Sequence, residues 1–167
     1  TILLRNELNE WKIVEETWKE VGGIPLEDAP KLAQRFQKLQ PFLAVYLLAA
    51  GGDELNRDER ELLFYLGMAV WKMMAKGAKA LTQVSSSSID KDEEKNWDMI
   101  NYLTGENKNF DFFNTVESIL TGYNQKNVLK YVVEALEEYE PEEGNIRDDK
   151  KGEIFVYLKT VIDCLDQ

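Results

Sequence analysis

Residues 56–77 read NRDERELLFYLGMAVWKMMAKG, in which a charged start is followed by ten uncharged, mostly apolar residues at 62–71. Asn56 and Glu59 have the spacing of a capping box, which marks the start of a helix. A helix that is apolar on all sides is normally buried in the core. We therefore predict that this segment forms the central and most buried helix, and that it continues to about Thr82.

Further helices are predicted between glycines that follow apolar-periodic stretches, as glycines at helix C-termini do. They cover about residues 6–21, 30–50, 110–121, 125–139 and from 148 or 153 to 165, and another begins after Asp90 as its N-cap. Pro41 lacks a backbone donor, so a kink or break is expected near Gln40. The last segment contains the run Ile-Phe-Val-Tyr-Leu, which also suits a strand, but a single strand has no partner and helix is predicted.

These seven segments predict an all-α fold, an irregular bundle of about seven helices within a single domain, 1–167. Apolar residues spaced by threes precede a glycine once in each half of the chain. An alternative arrangement is therefore two three-helix units plus a C-terminal helix. Its halves would be 1–84 and 89–167, joined by a polar linker from Ser85 to Ser88.

The chain contains no histidine and one cysteine, Cys164. Histidine is the commonest general base and metal ligand, so histidine-dependent triads and zinc sites are excluded. No glycine-rich phosphate loop is present either. We therefore predict a non-catalytic protein without a cofactor. Cys164 is expected to be a small buried or half-buried apolar residue. A single cysteine fits a reducing, cytoplasmic compartment.

The composition is acidic, with 31 Asp and Glu against 20 Lys and Arg and a net charge of −11. This charge disfavours nucleic acid and anionic membranes, whereas it favours solubility or a basic protein partner. No apolar run approaches the ~18 residues of a membrane span. The leading hypothesis is a soluble helical protein that acts through protein–protein interaction, with its oligomeric state left open. A self-assembling protein, recognisable by an apolar patch outside the core, is a further hypothesis.

The densest charge cluster begins at the end of the sixth predicted helix and continues into the turn after it, and consists of Glu137, Glu138, Glu140, Glu142 and Glu143. Such a run is typical of a solvated surface. It is also suited to bind a basic partner, because complementary charge guides association. These five residues are the predicted partner-binding surface.

Two carboxylate pairs give a second hypothesis. Glu137 and Glu140 form an ExxE motif, and Asp163 and Asp166 form a DxxD motif. The spacing resembles the ExxE and ExxD motifs with which all-α nucleotide pyrophosphatases of the MazG type hold magnesium, although the second pair here is DxxD. The resemblance implies a magnesium-dependent nucleotide hydrolase. The helical pattern, however, places both pairs on solvent-facing sides, away from a cleft.

A basic stripe, Lys72, Lys76 and Lys79, follows the apolar run at i, i+4 and i+7. Cations near a helix C-terminus offset the negative end of its dipole, and they can also pair with glutamates. The stripe is alternatively a site for an anionic ligand or an acidic partner.

Tryptophans could stack against nucleic-acid bases, but stacking proteins also need a positive groove. Trp11, Trp18 and Trp97 fall on the apolar faces of predicted helices. We therefore predict that all three pack in the core.

Overall fold

The computed structural model describes residues 2–77, 80–105, 112–139 and 144–167. These residues form eight α-helices and no strand, which confirms the predicted all-α class. The helices are α1 (Ile2–Gly22), α2 (Ala29–Leu39), α3 (Pro41–Ala49), α4 (Arg57–Gly77), α5 (Ser86–Thr104), α6 (Phe112–Leu120), α7 (Lys126–Glu137) and α8 (Asp148–Leu165). No helix in the described ranges is long and apolar enough to cross a bilayer.

The predicted break near Gln40 is confirmed, and it is the reason that eight helices form where seven were expected. Gln40 leaves the helical region with φ −134° and ψ 65°, and Pro41 starts α3. The Gln40 side chain is buried, and its amide donates to the Thr82 carbonyl at 2.9 Å while its oxygen accepts from the Val84 amide at 2.9 Å. The break is thus held by hydrogen bonds to the segment that precedes α5.

The predicted capping box at the start of α4 is confirmed. The Glu59 amide donates to Asn56 Oδ1 at 2.8 Å, and the Asn56 amide donates back to Glu59 Oε1 at 2.9 Å. The predicted end near Thr82 is wrong, because α4 ends at Gly77 and residues 80–85 are not helical.

The predicted linker from Ser85 to Ser88 and the predicted cap at Asp90 are both wrong. Ser85 is the N-cap of α5, and its hydroxyl accepts from the Ser88 amide at 3.1 Å. The serines therefore form the first turn of a helix, since a serine hydroxyl satisfies a free amide at a helix start. The division into halves and the internal repeat stay predictions, although α1 packs against α7 across the proposed division.

The centre of the core is shared by α4 and α8, which pack against each other. In α8 the residues 154–162 are all buried, so the helix with the ambiguous sequence is enclosed on every side. On the other side of α4, Gly67 allows α3 to approach, because a Cβ at this position would collide with the buried Leu47 side chain. The prediction that the α4 segment is central is correct, but it did not foresee that α8 lies beside it.

Candidate partner-binding groove

A groove between α1 and α7 combines aromatic rings with carboxylates. Its lining recurs every three or four residues along each helix, which is the spacing of one helix face. The lining residues are Trp11, Val14, Glu15 and Trp18 from α1, and Tyr131, Glu134, Ala135 and Glu138 from α7. The groove has a volume of about 100 Å³. Since one water needs about 10–15 Å³ by the same measure, the groove has room for the end of a side chain.

The predicted partner-binding cluster reaches this groove through one residue. Glu137 and Glu138 are both exposed at the C-terminal end of α7, and Glu138 lines the groove whereas Glu137 does not. Glu140, Glu142 and Glu143 lie outside the described residues. The interpretation of the cluster as a partner-binding surface therefore stays a prediction, with Glu138 now placed beside aromatic rings.

Three aromatic side chains form the apolar part of the groove. Tyr131 is buried, Trp11 is half-buried and Trp18 is 47% exposed. The prediction that Trp18 packs in the core is therefore wrong, because Trp18 lines the open groove, whereas Trp97 is half-buried against the core. Burial raises the pKa of Tyr131, so its phenol remains neutral at physiological pH. The result is an uncharged aromatic surface that is open to solvent at Trp18.

The carboxylates give the groove a negative charge. Glu15 pairs with Lys19 on the exposed side of α1, with Nζ and Oε1 3.0 Å apart. Glu134 is half-buried and Glu138 is exposed, and within the described residues neither has a cationic partner. Exposed ion pairs such as Glu15–Lys19 contribute little and open readily. All three carboxylates are thus able to accept hydrogen bonds from a bound cation.

One aromatic residue of the groove, Trp11, already has a cation beside its ring, the exposed Lys130. Its ammonium nitrogen lies 5.4 Å from the centre of the Trp11 ring. This distance is within the ~6 Å at which a cation is attracted to an aromatic face. Because Lys130 is exposed, a ligand cation with better contacts is able to replace it.

The basic stripe is occupied by a carboxylate from another helix. Lys72 Nζ lies 2.9 Å from Glu20 Oε1, and Lys76 pairs with the other oxygen of the same carboxylate. Hydrogen bonds from Lys76 and Lys72 lower the pKa of Glu20 to about 2. Lys79 lies outside the described residues. The two lysines tie α1 to α4, and anion binding by the stripe stays a prediction.

Asp163 is only partly open to solvent, with its side chain 25% exposed, whereas the sequence indicated a solvated face. Its Oδ2 accepts from Lys159 Nζ at 2.8 Å and from Asn96 Nδ2 at 3.0 Å, and its Oδ1 accepts from the Tyr123 hydroxyl at 2.5 Å. Lys159 is itself buried and also donates to Asn96. The expectation of a solvated face is wrong here, because α5 packs over this part of α8 and supplies Asn96.

The four-carboxylate magnesium site is only partly described. Asp166 accepts from the side chains of Asn124 and Gln125, at 2.8 and 2.7 Å. In the described part of the chain, no three Cys, Asp or Glu side chains lie close enough together to hold a metal ion. Since Glu140 lies outside that part, the pairing of Glu137 and Glu140 with Asp163 and Asp166 stays a prediction.

Cys164 is buried, as predicted. Its thiol lies 3.2 Å from Asp92 Oδ2, and burial raises its pKa, with this carboxylate adding to the effect. A thiol with a raised pKa is a poor nucleophile, because the thiolate is the reactive form. The cysteine therefore fills space in the core.

Sequence reasoning named Glu138 but missed the aromatic residues beside it. Trp11, Glu15 and Trp18 have helical spacing, as do Tyr131, Glu134 and Glu138, so each half of the groove is visible as a mixed aromatic and acidic face. The sequence does not reveal that α1 and α7 are neighbours, and only this contact turns two faces into a groove. Comparison of the chain with family models, curated proteins and solved structures finds no match.

Proposed function

We propose that this protein acts by binding a basic segment of another protein, with one arginine or lysine of that segment placed in the groove between α1 and α7. The observation that carries the proposal is the meeting of Trp18 and Tyr131 with Glu134 and Glu138 in one groove. Aromatic faces attract cations, and carboxylates hydrogen-bond them. Few other ligands use both features at once.

The size of the groove is suited to one side chain of a larger interface. A cation over an aromatic ring contributes about 0.5–2 kcal/mol, depending on how far it is desolvated. A charged hydrogen bond adds about 1.5–3 kcal/mol. Such a contact resembles an interface hot spot, in which one anchored arginine supplies much of the affinity. Arginine is favoured over lysine, because its planar group stacks on indole and donates two parallel hydrogen bonds to a carboxylate.

The charge of the whole chain supports the same ligand. At −11, the protein attracts a basic partner over long range and repels an acidic one. Attraction of this kind raises the association rate and is reduced by salt. Binding of a basic segment is therefore expected to weaken as ionic strength increases.

The test uses a synthetic peptide of about eight residues, with two arginines in a Gly/Ser background, and its uncharged citrulline counterpart. Binding is followed by isothermal titration calorimetry and by tryptophan fluorescence. The double variant Glu134→Gln/Glu138→Gln is expected to raise the Kd of the arginine peptide about tenfold, which is about 1.4 kcal/mol. Trp18→Ala is expected to weaken binding by a similar factor.

The matched control for the single variant Glu138→Gln is Glu137→Gln, which also removes one charge, one residue away on the exposed surface outside the groove. Its expected effect on the Kd is less than about twofold, because only long-range charge is lost. Equal binding of the arginine and citrulline peptides would refute the proposal. So would an equal loss of affinity in the single variants Glu137→Gln and Glu138→Gln.

A further inference from the structure

Helix α3 leaves one apolar face uncovered. It contains no charged residue, and a helix of that composition is normally enclosed. Here the side of Leu43 and Leu47 is buried, whereas the opposite side is open to solvent. The exposed apolar side chains are Leu39 at the end of α2, and Phe42, Val45 and Leu48 on α3. Val45 is 64% exposed, and together the four leave on the order of 300 Å² of apolar surface, a size that often marks a functional patch.

The segment that contributes this patch carries only positive charge. Residues 29–52 contain Lys31, Arg35 and Lys38 and no acidic residue, in a chain whose net charge is −11. The neighbouring α5 brings one carboxylate to α3, since Glu93 Oε1 accepts from the Tyr46 hydroxyl at 3.0 Å. Lys31 pairs with Asp28 at 3.4 Å. Arg35 and Lys38 are exposed, and within the described residues neither has an acidic partner. The α2–α3 surface is therefore basic and apolar, the opposite of the acidic groove.

We propose that the α2–α3 surface, defined by Arg35, Lys38, Phe42, Val45 and Leu48, binds an acidic amphipathic helix of a second protein. The nine residues of α3 extend about 13 Å, which matches an apolar stripe of two to three helical turns. Helices dock in this manner through apolar residues at i, i+3, i+4 and i+7. Acidic residues at one end of the docked helix then pair with Arg35 and Lys38.

Charge favours this occupant over two others. A second copy of the chain brings a second charge of −11, and like charges oppose association. An anionic membrane surface repels the acidic remainder of the protein in the same way. An acidic helix also carries negative charge, but it is small, and the acidic residues at one of its ends can be placed beside Arg35 and Lys38. The surface is distinct from the α1–α7 groove, since α3 packs on α2, α4 and α5.

The probe is a capped, fluorescent peptide of about 15 residues, with leucine at i, i+3, i+4 and i+7 and glutamate elsewhere on its polar face. A second peptide has glutamine in place of every glutamate. Fluorescence anisotropy is expected to show the glutamate peptide binding at least about tenfold more tightly than the glutamine peptide, against the net charge of the protein. Val45→Asp is expected to weaken binding at least about tenfold, because it places a carboxylate in the apolar stripe.

The matched control is Tyr102→Asp, which places the same carboxylate at a highly exposed aromatic position near the end of α5. It is expected to change the Kd less than about twofold, and circular dichroism checks that both variants keep their helix content. The groove variant Glu134→Gln/Glu138→Gln is expected to bind the glutamate peptide as the native chain does. These variants therefore distinguish a loss of binding at the α2–α3 surface from a loss of binding at the α1–α7 groove.

Three outcomes overturn the inference. The first is no preference for the glutamate peptide, and the second is equal binding by the Val45→Asp and Tyr102→Asp variants. The third is a different occupant. A dimer in sedimentation equilibrium that Val45→Asp dissociates assigns the surface to a second copy. Binding to phosphatidylserine vesicles that Val45→Asp abolishes assigns it to a membrane.

Discussion

Glu59→Gln is expected to destabilise the protein, because this fully buried carboxylate ties the start of α4 to the segment before α8. Its Oε1 accepts from the Asn56 amide at 2.9 Å and from Arg147 Nη2 at 2.7 Å. Its Oε2 accepts from the Arg147 amide at 2.9 Å and from Arg147 Nε at 3.1 Å. A glutamine side chain has one acceptor oxygen, and its NH₂ group replaces the other carboxylate oxygen and faces the same donors. Two of the four hydrogen bonds therefore lose their acceptor.

The size of the effect follows from these contacts. A hydrogen bond to a charged group contributes about 1.5–3 kcal/mol, and a buried donor without an acceptor costs about 1–3 kcal/mol. The side chain of Arg147 is 42% exposed, so water replaces part of what Glu59 supplied. We therefore expect a loss of about 2–3 kcal/mol in the free energy of unfolding, a large part of the 5–15 kcal/mol typical of a domain. For a chain of this length the melting temperature falls by about 5–10 °C.

The effect is also expected to depend on pH. Burial alone would raise the pKa of Glu59, but hydrogen bonds from Arg147 and from the Asn56 amide outweigh it and hold the pKa below its ordinary value of 4.5. A group with a lowered pKa stabilises the fold above its ordinary pKa, and that contribution is lost as pH falls through the folded value. The difference between native and Glu59→Gln protein should thus shrink below about pH 4.

The assay is urea unfolding at pH 7 and at pH 3.5, followed by tryptophan fluorescence and circular dichroism. Glu61→Gln is the matched control, because Glu61 lies two residues away and its ion pair with Arg57 is exposed. Its expected cost is below about 0.5 kcal/mol. A Glu59→Gln variant within about 0.5 kcal/mol of the native protein at pH 7 would refute the reasoning.

Two further outcomes are expected. Gly67→Ala should destabilise the fold by about 1–2 kcal/mol. The added methyl group collides with the Leu47 side chain of α3, and the cost of this collision exceeds the free energy gained from the higher helix propensity of alanine. Gly77→Ala, where a Cβ meets nothing within 4 Å, is the control, and equal stability of the two variants in thermal melts would contradict the explanation. Glu20→Gln should flatten the pH dependence of stability between pH 5 and about 2, because the pKa of Glu20 is lowered to about 2 by Lys76 and Lys72. Its carboxylate is 46% exposed, so the effect at pH 7 is at most about 1 kcal/mol, and a pH profile identical to that of the native chain excludes the contribution.

The parts of the fold that the sequence predicted correctly depend on contacts within a few residues. Asn56 and Glu59 satisfy each other's amides across one turn, so their spacing alone indicates the start of α4. Pro41 removes a donor wherever the chain lies, so the break at Gln40 is equally local. Such features need no contact between helices, so they can be predicted from the sequence without knowing how the helices pack.

Local signals fail where two of them compete. Both Ser85 and Asp90 are good N-caps, and the sequence favoured Asp90 because Glu93 follows at the spacing of a capping box. The structure starts α5 at the earlier residue, where Ile89 is buried in the core and Val84 is held by Gln40. Tertiary contacts therefore decide which residue is the N-cap of α5, and the spacing of residues 84–93 does not reveal those contacts.

The candidate site also combines features that local patterns predict with features that only tertiary packing determines. Helical periodicity placed Trp18 on the apolar face of the first predicted helix, but periodicity does not show which neighbouring helices cover that face. In this fold Trp18 is open to solvent, so an expected core position becomes surface. For Val45 the sequence predicted a helix and nothing about burial, and its side chain is exposed.

The residues that define the two exposed apolar surfaces carry charges of opposite sign. Glu134 and Glu138 lie beside Trp18, and Arg35 and Lys38 belong to the helix that leads into Val45. The net charge of −11 then acts on the two surfaces in opposite directions, assisting the approach of a basic segment to the groove and opposing that of an acidic helix to α2–α3. Electrostatic attraction governs the rate of encounter, whereas buried apolar contact governs how long a complex lasts. It follows that the groove is suited to fast, salt-sensitive recognition, and that the α2–α3 surface must rely on its apolar stripe.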